Sequence, residues 1–372
     1  MSVIYLDFNR TTPLAPSVLE AMQPYWSTHF MLPGQQHAQA QAVSEALEHA
    51  REGIAELAGC ESFEVVFTGG GTEANNLAIL GVLSDQPVGH VLYSCLEHES
   101  VLGPLERLTR LGWEIEPVPC GANGIIDTVK VDQMIRPDTR LMCLQAANAV
   151  VGTIQPVRQV ADICHSRGVV LHSDATQVFG KMPIDVTQLR ADTVSISGHK
   201  FYGPKGSGAL YVRRGLKLAA ITYGEPREMG LRPGAENIPG CVGLGAAAML
   251  AQRCCVDAAD KLAEMRDKMI EDLRQQVPGG ITVLCEAAER LPNTLAIELP
   301  ADTSRLQESA RQLAISTPQS SSPPDEMTRV LRSIGRSEQQ ACRTMRISLG
   351  WTTSSEQLSR AVKLIAAAYD GR

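Results

Sequence analysis

The chain has 372 residues, 44% of them hydrophobic and 20% charged, with a formal net charge of −7. That length and apolar content suffice for a large core divided over two domains, and the acidic balance without a basic run excludes an electrostatic footprint for nucleic acid. No apolar stretch looks long enough to span a bilayer and "MSVIYLDFNRTTPL" lacks a secretory pattern; ten cysteines without a CxxC spacing read as reduced thiols of a cytoplasmic protein, not as metal ligands or a disulfide framework.

In chain order, residues 38–57 carry apolar side chains at helical spacing (Val43, Ala46, Leu47, Ala50, Ile54, Leu57), and Gly59 follows as a stop signal. From about residue 60 to 213 short apolar runs alternate with helical patterns. The predicted strands are 64–67, 90–94, 113–118, 140–145, 169–172, 193–197 and 209–213, with helices such as 72–82 and 157–166 between them. Such alternation predicts an α/β architecture, a seven-stranded and mostly parallel sheet covered by helices. After Gly240 the pattern changes. A long helix over 242–276, the runs "ITVLC" and "NTLAIEL", a helix near 303–314, the low-complexity loop "STPQSSSPP" (316–324) and "TMRISLGW" predict a smaller α+β C-terminal domain. The expected division is an N-terminal segment 1–15 packing with the small domain, a large cofactor-binding domain 16–250 and a small domain 251–372. No internal repeat is visible.

Chemistry-bearing residues gather after the predicted strands, where ligands sit in doubly wound sheets. "TGGGTEANN" opens a helix at Gly71 and Thr72 and suits a phosphate. His98 follows the second strand, Asn148 the fourth, Asp174 and Gln177 the fifth, and Ser197, His199 and Lys200 the sixth. Lys200 precedes a glycine-rich turn, but Gly198 and Gly203 do not make a nucleotide P-loop, because Pro204 stands where lysine is required. Each residue also has an ordinary use: Thr72 and Asp174 as helix caps, Gln177 and Lys200 as solvated side chains. Together, phosphate donors, an aspartate, a histidine and a lysine fit pyridoxal 5'-phosphate, which needs an amine to anchor it and an acid to keep its ring nitrogen protonated.

The stretches "IYLDFNRTTPL", "VVFTGGGTEANNLAILG", "EHESVL", "HSDATQVFGKMPID", "SISGHKFYGPKGSGALYVRRG", "RPGAENIPG" and "RISLG" carry a further signal. Through them the chain resembles the cysteine desulfurases, in the class V aminotransferase group of fold-type I pyridoxal-phosphate enzymes, along nearly its whole length. The resemblance implies that Lys200 forms the internal aldimine and moves protons once an amino acid has formed the external aldimine. It also implies that Asp174 pairs with the ring nitrogen, Gln177 bonds the ring hydroxyl and His98 stacks on the ring. Gly71, Thr72, Ser197 and His199 would hold the phosphate, and Arg346 the substrate carboxylate. Asn148 would stand in for the family asparagine replaced by Ala149. A homodimer with its active site at the subunit interface is implied as well.

Departures from the family pattern concentrate on sulfur transfer. The family's nucleophilic cysteine falls on the loop before "MTRVLRSIG", at Ser320 or Ser321, and that loop holds no cysteine. Arg10, Leu32 and Ala235 replace an alanine, an asparagine and a threonine of the family. Serine cannot carry a persulfide, so the expectations are a desulfurase-like enzyme acting on an amino acid, a cysteine or cystine C–S lyase working by β-elimination or another class V aminotransferase activity, or a non-catalytic paralogue that serves as a binding partner. A sulfur-acceptor protein is not expected.

Overall fold

β-branched and apolar runs form the strands where both faces are covered, and the sheet they build decides where the loops converge. The structure, a computed structural model, describes residues 3–304, 306, 312–319, 321 and 324–369. Its strands are β1 (Ile4–Tyr5), β2 (Val65–Thr68), β3 (His90–Ser94), β4 (Glu114–Val118), β5 (Thr139–Cys143), β6 (Val170–Asp174), β7 (Thr193–Ser197), β8 (Gly208–Val212), β9 (Thr282–Val283), β10 (Thr294–Glu298), β11 (Leu313–Ala314) and β12 (Thr344–Ser348).

The seven strands β2 to β8 form one sheet in the order β2-β8-β7-β6-β5-β3-β4. Neighbours from β4 across to β7 are parallel, whereas β8 runs antiparallel to both β7 and β2. The exception has a local cause. After Lys200 the chain returns through the turn around Gly206 (φ 76°) rather than through a crossover helix, and only antiparallel strands can be joined so briefly. All of β7 is buried, as expected of a strand covered on both faces. Leu92, Met142 and Leu171 face the largest core, and Val91 and Leu141 face a second core built with the Glu99–Thr109 helix.

The helix Ile238–Gln276 is 39 residues long, and an 18-residue window within it is apolar enough to pass for a membrane span by length and composition. That corrects the expectation of no such stretch. Packing explains its apolar character: Leu244, Ala247, Ala248 and Ala251 enter the largest core, and Leu262, Met269, Ile270 and Leu273 enter a separate one. A Cβ on its Gly245 would lie 2.4 Å from Ala50 Cα, so glycine permits the close crossing with the Ala38–Ala58 helix. Residues 250 and 251 both lie inside this helix.

The separate core also holds Ile4 and Leu6 and the sheet β12-β10-β9. The helix expected near 303–314 is corrected at its end, where Leu313 and Ala314 pair with β1 in parallel. An edge backbone offered by Ile4 and Tyr5 wins over local helix propensity there. Within that stretch, residues 305 and 307–311 lie outside the described residues, as does Ser320 on the following loop.

Candidate active site

The carboxyl ends of β2, β3, β5, β6 and β7 open onto one cavity of about 820 Å³, which Arg10, Ser316, Thr317, Gln319 and the helix start at Asp325 to Met327 line from the other side. Gly71, Thr72, His98, Asp174, Gln177, Ser197, His199, Lys200 and Arg346 all line it. Asn148 does not. Its amide is spent inside the protein, donating to Leu96 O and accepting from Val150 N and Val151 N, and the residue is wholly buried. That corrects its expected place beside a cofactor; Ala147, Ala149 and Val150 line the wall in its stead.

The helix Gly71–Leu83 starts at the cavity with no side chain capping its first turn. Its unspent backbone N–H groups and the dipole favour an anion. Glycine is required here: Gly70 has φ 143°, and a Cβ on Gly71 would lie 2.8 Å from Thr176 Cγ2. Ser197 and His199 face the same end. Burial and the cations Lys200 and Lys205 push His199 down to about 4, so it is a neutral imidazole, hydrogen-bonded at Nδ1 to Thr11 Oγ1.

Lys200 Nζ donates to the carbonyls of Asn9 (2.7 Å) and Arg10 (3.1 Å). Burial pushes its amine down to about 8; Glu326 opposes that fall and Arg346 adds to it. The result is an amine that is substantially unprotonated near pH 8 and able to attack a carbonyl carbon.

Asp174 sits at the end of β6 with one oxygen accepting from Asn75 Nδ2 (2.8 Å) and the other from Thr176 N (3.0 Å). Asn75 is itself fixed. Its Oδ1 lies 2.9 Å from His172 Nε2, and its Nδ2 also donates to Ser100 Oγ, which in turn lies 2.8 Å from His98 Nδ1. Burial drives His172 to about 4, so its neutral ring can donate from Nε2 to Asn75 while Nδ1 accepts from Thr193 Oγ1. One relay of hydrogen bonds therefore orients both Asp174 and His98. The sequence reading missed Asn75 and His172. The signal was there in part: His172 and Asp174 are two apart on one strand and so share a face.

Arg346, on β12, bonds Asp7 Oδ1 (2.5 Å), Ser316 Oγ (2.6 Å) and Ala149 O (3.1 Å), which leaves its buried Nε without a partner. The guanidinium is thus held rigidly at the cavity wall with donor capacity to spare. No cysteine lines the cavity among the described residues; Ser316, Thr317 and Gln319 occupy the loop side. Cys285 Sγ donates to Ala122 O, and Cys342 is exposed.

Comparison with known proteins gives the family of the chain. The sequence model of the aminotransferase class-V family matches residues 4–360. The chain is 36% identical over 363 residues to cysteine desulfurase IscS of Dictyoglomus turgidum, covering 96% of this chain and 92% of that one. Among solved structures it is similar to a NifS-like protein (TM-score 0.91, 30% identity, 99% of both chains). It is also similar to SspA in complex with cysteine (TM-score 0.81, 33% identity, 93% of this chain and 98% of that one).

Proposed function

The chain belongs to the aminotransferase class-V family, among the relatives of the cysteine desulfurases, and from that premise we propose that Lys200 anchors its cofactor and that the cavity receives cysteine or a related amino acid. The cofactor of this family, and of this enzyme, is pyridoxal phosphate. The residues present fit it. An uncapped helix start at Gly71 and Thr72, with Ser197 and His199, suits the phosphate; Asp174 suits the ring nitrogen and Gln177 the ring hydroxyl. When bound, the group supplies an electron sink for negative charge at the substrate Cα.

The chain's own residues divide the remaining work. Arg346 binds the substrate carboxylate through its fork of donors. His98, held by Ser100, would stack on the ring when the group is bound. The Lys200 amine, with its lowered proton affinity, holds the proton taken from Cα and returns it. The observation that carries this reading is the convergence of Lys200, Asp174, Gln177 and an uncapped helix start on one cavity. The purified protein is expected to absorb in the visible, to lose that absorbance on borohydride treatment, and to yield a cofactor-modified peptide at Lys200. A colourless protein that cannot be reconstituted overturns it.

A specific observation favours elimination over persulfide transfer: the described cavity wall holds no thiol. In elimination the C–S bond breaks without a protein nucleophile, and cysteine plus water becomes pyruvate, ammonia and sulfide. The ten free thiols support a reducing compartment. A homodimer is supported by exposed Trp26, Phe30, Leu32 and Tyr223, on two segments joined where Arg227 donates to Pro33 O. Sedimentation of Trp26→Glu/Phe30→Glu is expected to give monomers where the parent gives dimers.

A further inference from the structure

Lys181 is a buried amine that the reaction outlined above does not use. It lies four residues after Gln177, is 6% exposed, and no carboxylate stands within ion-pair distance among the described residues. Its Nζ instead donates to two amide oxygens, Gln177 Oε1 at 2.6 Å and Asn9 Oδ1 at 2.8 Å. Burial and the neighbouring cations Lys200 and Arg346 lower its proton affinity well below the ordinary lysine range.

Placing an amine without an anion partner in a core is costly, and its geometry shows what the placement achieves. A glutamine amide can turn over, exchanging its oxygen and its NH2 group, and only its partners decide which end faces where. A lysine amine keeps at least two N–H donors whether or not it carries its third proton, one for each of the two amide oxygens it meets. Its bond to Gln177 therefore holds the oxygen of that amide inward and leaves the NH2 end toward the cavity, where Nε2 reaches Asn9 O at 3.1 Å with one hydrogen to spare. Asn9 is locked in the same way. Its Oδ1 accepts from Lys181 and from Asn293 Nδ2, and its Nδ2 donates to Ala149 O and Thr294 Oγ1.

We propose that Lys181 is a positioning residue that fixes Gln177 as a hydrogen-bond donor, and never an acceptor, toward the ring oxygen of the cofactor. This rests on the reading of Lys200 and Gln177 given above. The consequence concerns protonation. A donor on the ring oxygen favours its anionic form. Removing Lys181 lets the amide turn its own oxygen toward the ring oxygen, and that change favours the protonated cofactor.

The test is the pH titration of the visible band of the cofactor-loaded enzyme in a double-mutant cycle. Lys181→Met is expected to move the midpoint upward by about 1 unit. In a Gln177→Leu background the same replacement is expected to move it by less than about 0.3 unit, because the group through which it acts is gone. An unchanged midpoint in Lys181→Met overturns the proposal. An equal shift in both backgrounds also overturns it, since Lys181 would then act as a bare charge. Should Lys181→Met not fold, Lys181→Gln is read by the same two criteria. A parent protein with no visible band defeats the reading of Lys200 itself, and that outcome is distinguishable from either of these.

Discussion

Lys200 Nζ is held by two backbone carbonyls, with no carboxylate in ion-pair distance among the described residues, and its behaviour with pH follows from that. The amine reacts only when unprotonated, so the rate at which cofactor-free protein recombines with pyridoxal phosphate should rise with pH and level off above a midpoint of about 8. An ordinary lysine would keep gaining rate toward about 10.4; stopped-flow absorbance across pH 6.5–10.5 (about the range that brackets both values) separates the two. Asp174 works differently, as the terminus of the relay through Asn75 and His172. Asp174→Ala should retain the cofactor yet lose turnover by about 10²–10³-fold, because the ring nitrogen is left without its carboxylate. Parent-like turnover of amino acids in that variant would remove the residue from the site. The residues named from sequence were those with a chemistry of their own; Asn75, His172 and Lys181 escaped because their work is done on other side chains.

At the level of elements, the Ala38–Ala58 helix is pinned to the sheet by a buried ion pair. Arg51 Nη1 and Nη2 donate to Glu228 Oε2 (2.7 Å) and Oε1 (2.9 Å), Arg51 also donates to Val65 O, and Glu228 accepts from Phe67 N. Glu228→Gln leaves the buried guanidinium only the exposed carboxylate of Glu48, 3.2 Å from Nε, and is expected to lower stability by about 3 kcal/mol in urea denaturation. A loss under about 1 kcal/mol would class the pair with exposed ones. The strand runs were legible because β-branched residues in a two-faced sheet form continuous apolar stretches. The reversal of β8 was not read from its apolar run, which carries no direction, although the short connection from Ser197 to Gly208 leaves no room for a crossover helix. The strand at Leu313–Ala314 was missed for a related reason: its partner, Ile4–Tyr5, lies more than three hundred positions away.

Across the whole molecule, the cavity exists only where the small sheet brings Arg346 against strand ends of the large one. The reaction's outcome belongs to this scale, because it depends on which side chains the small sheet and its neighbours bring to the cavity, among them Ser316, Thr317 and Gln319. With cysteine as substrate, sulfide is expected together with pyruvate in equal amounts and without alanine, measured by coupled assay and mass spectrometry of the protein thiols. Alanine in step with sulfide, with a trapped persulfide on any cysteine, would mean that the chain has relocated a nucleophile. The sequence by itself determined the α/β class and the family, and singled out Lys200 as the proposed anchor, because apolar periodicity and short contiguous motifs such as "SGHKFYGPKG" are local. Only the tertiary structure decided that Asn148 turns inward, that Asp7 and Ser316 hold Arg346, and that Lys181 meets Gln177 and Asn9. Those are matters of which polar groups meet once the chain has closed, and hydrogen-bond satisfaction in a buried site is settled by geometry rather than by spacing along the chain.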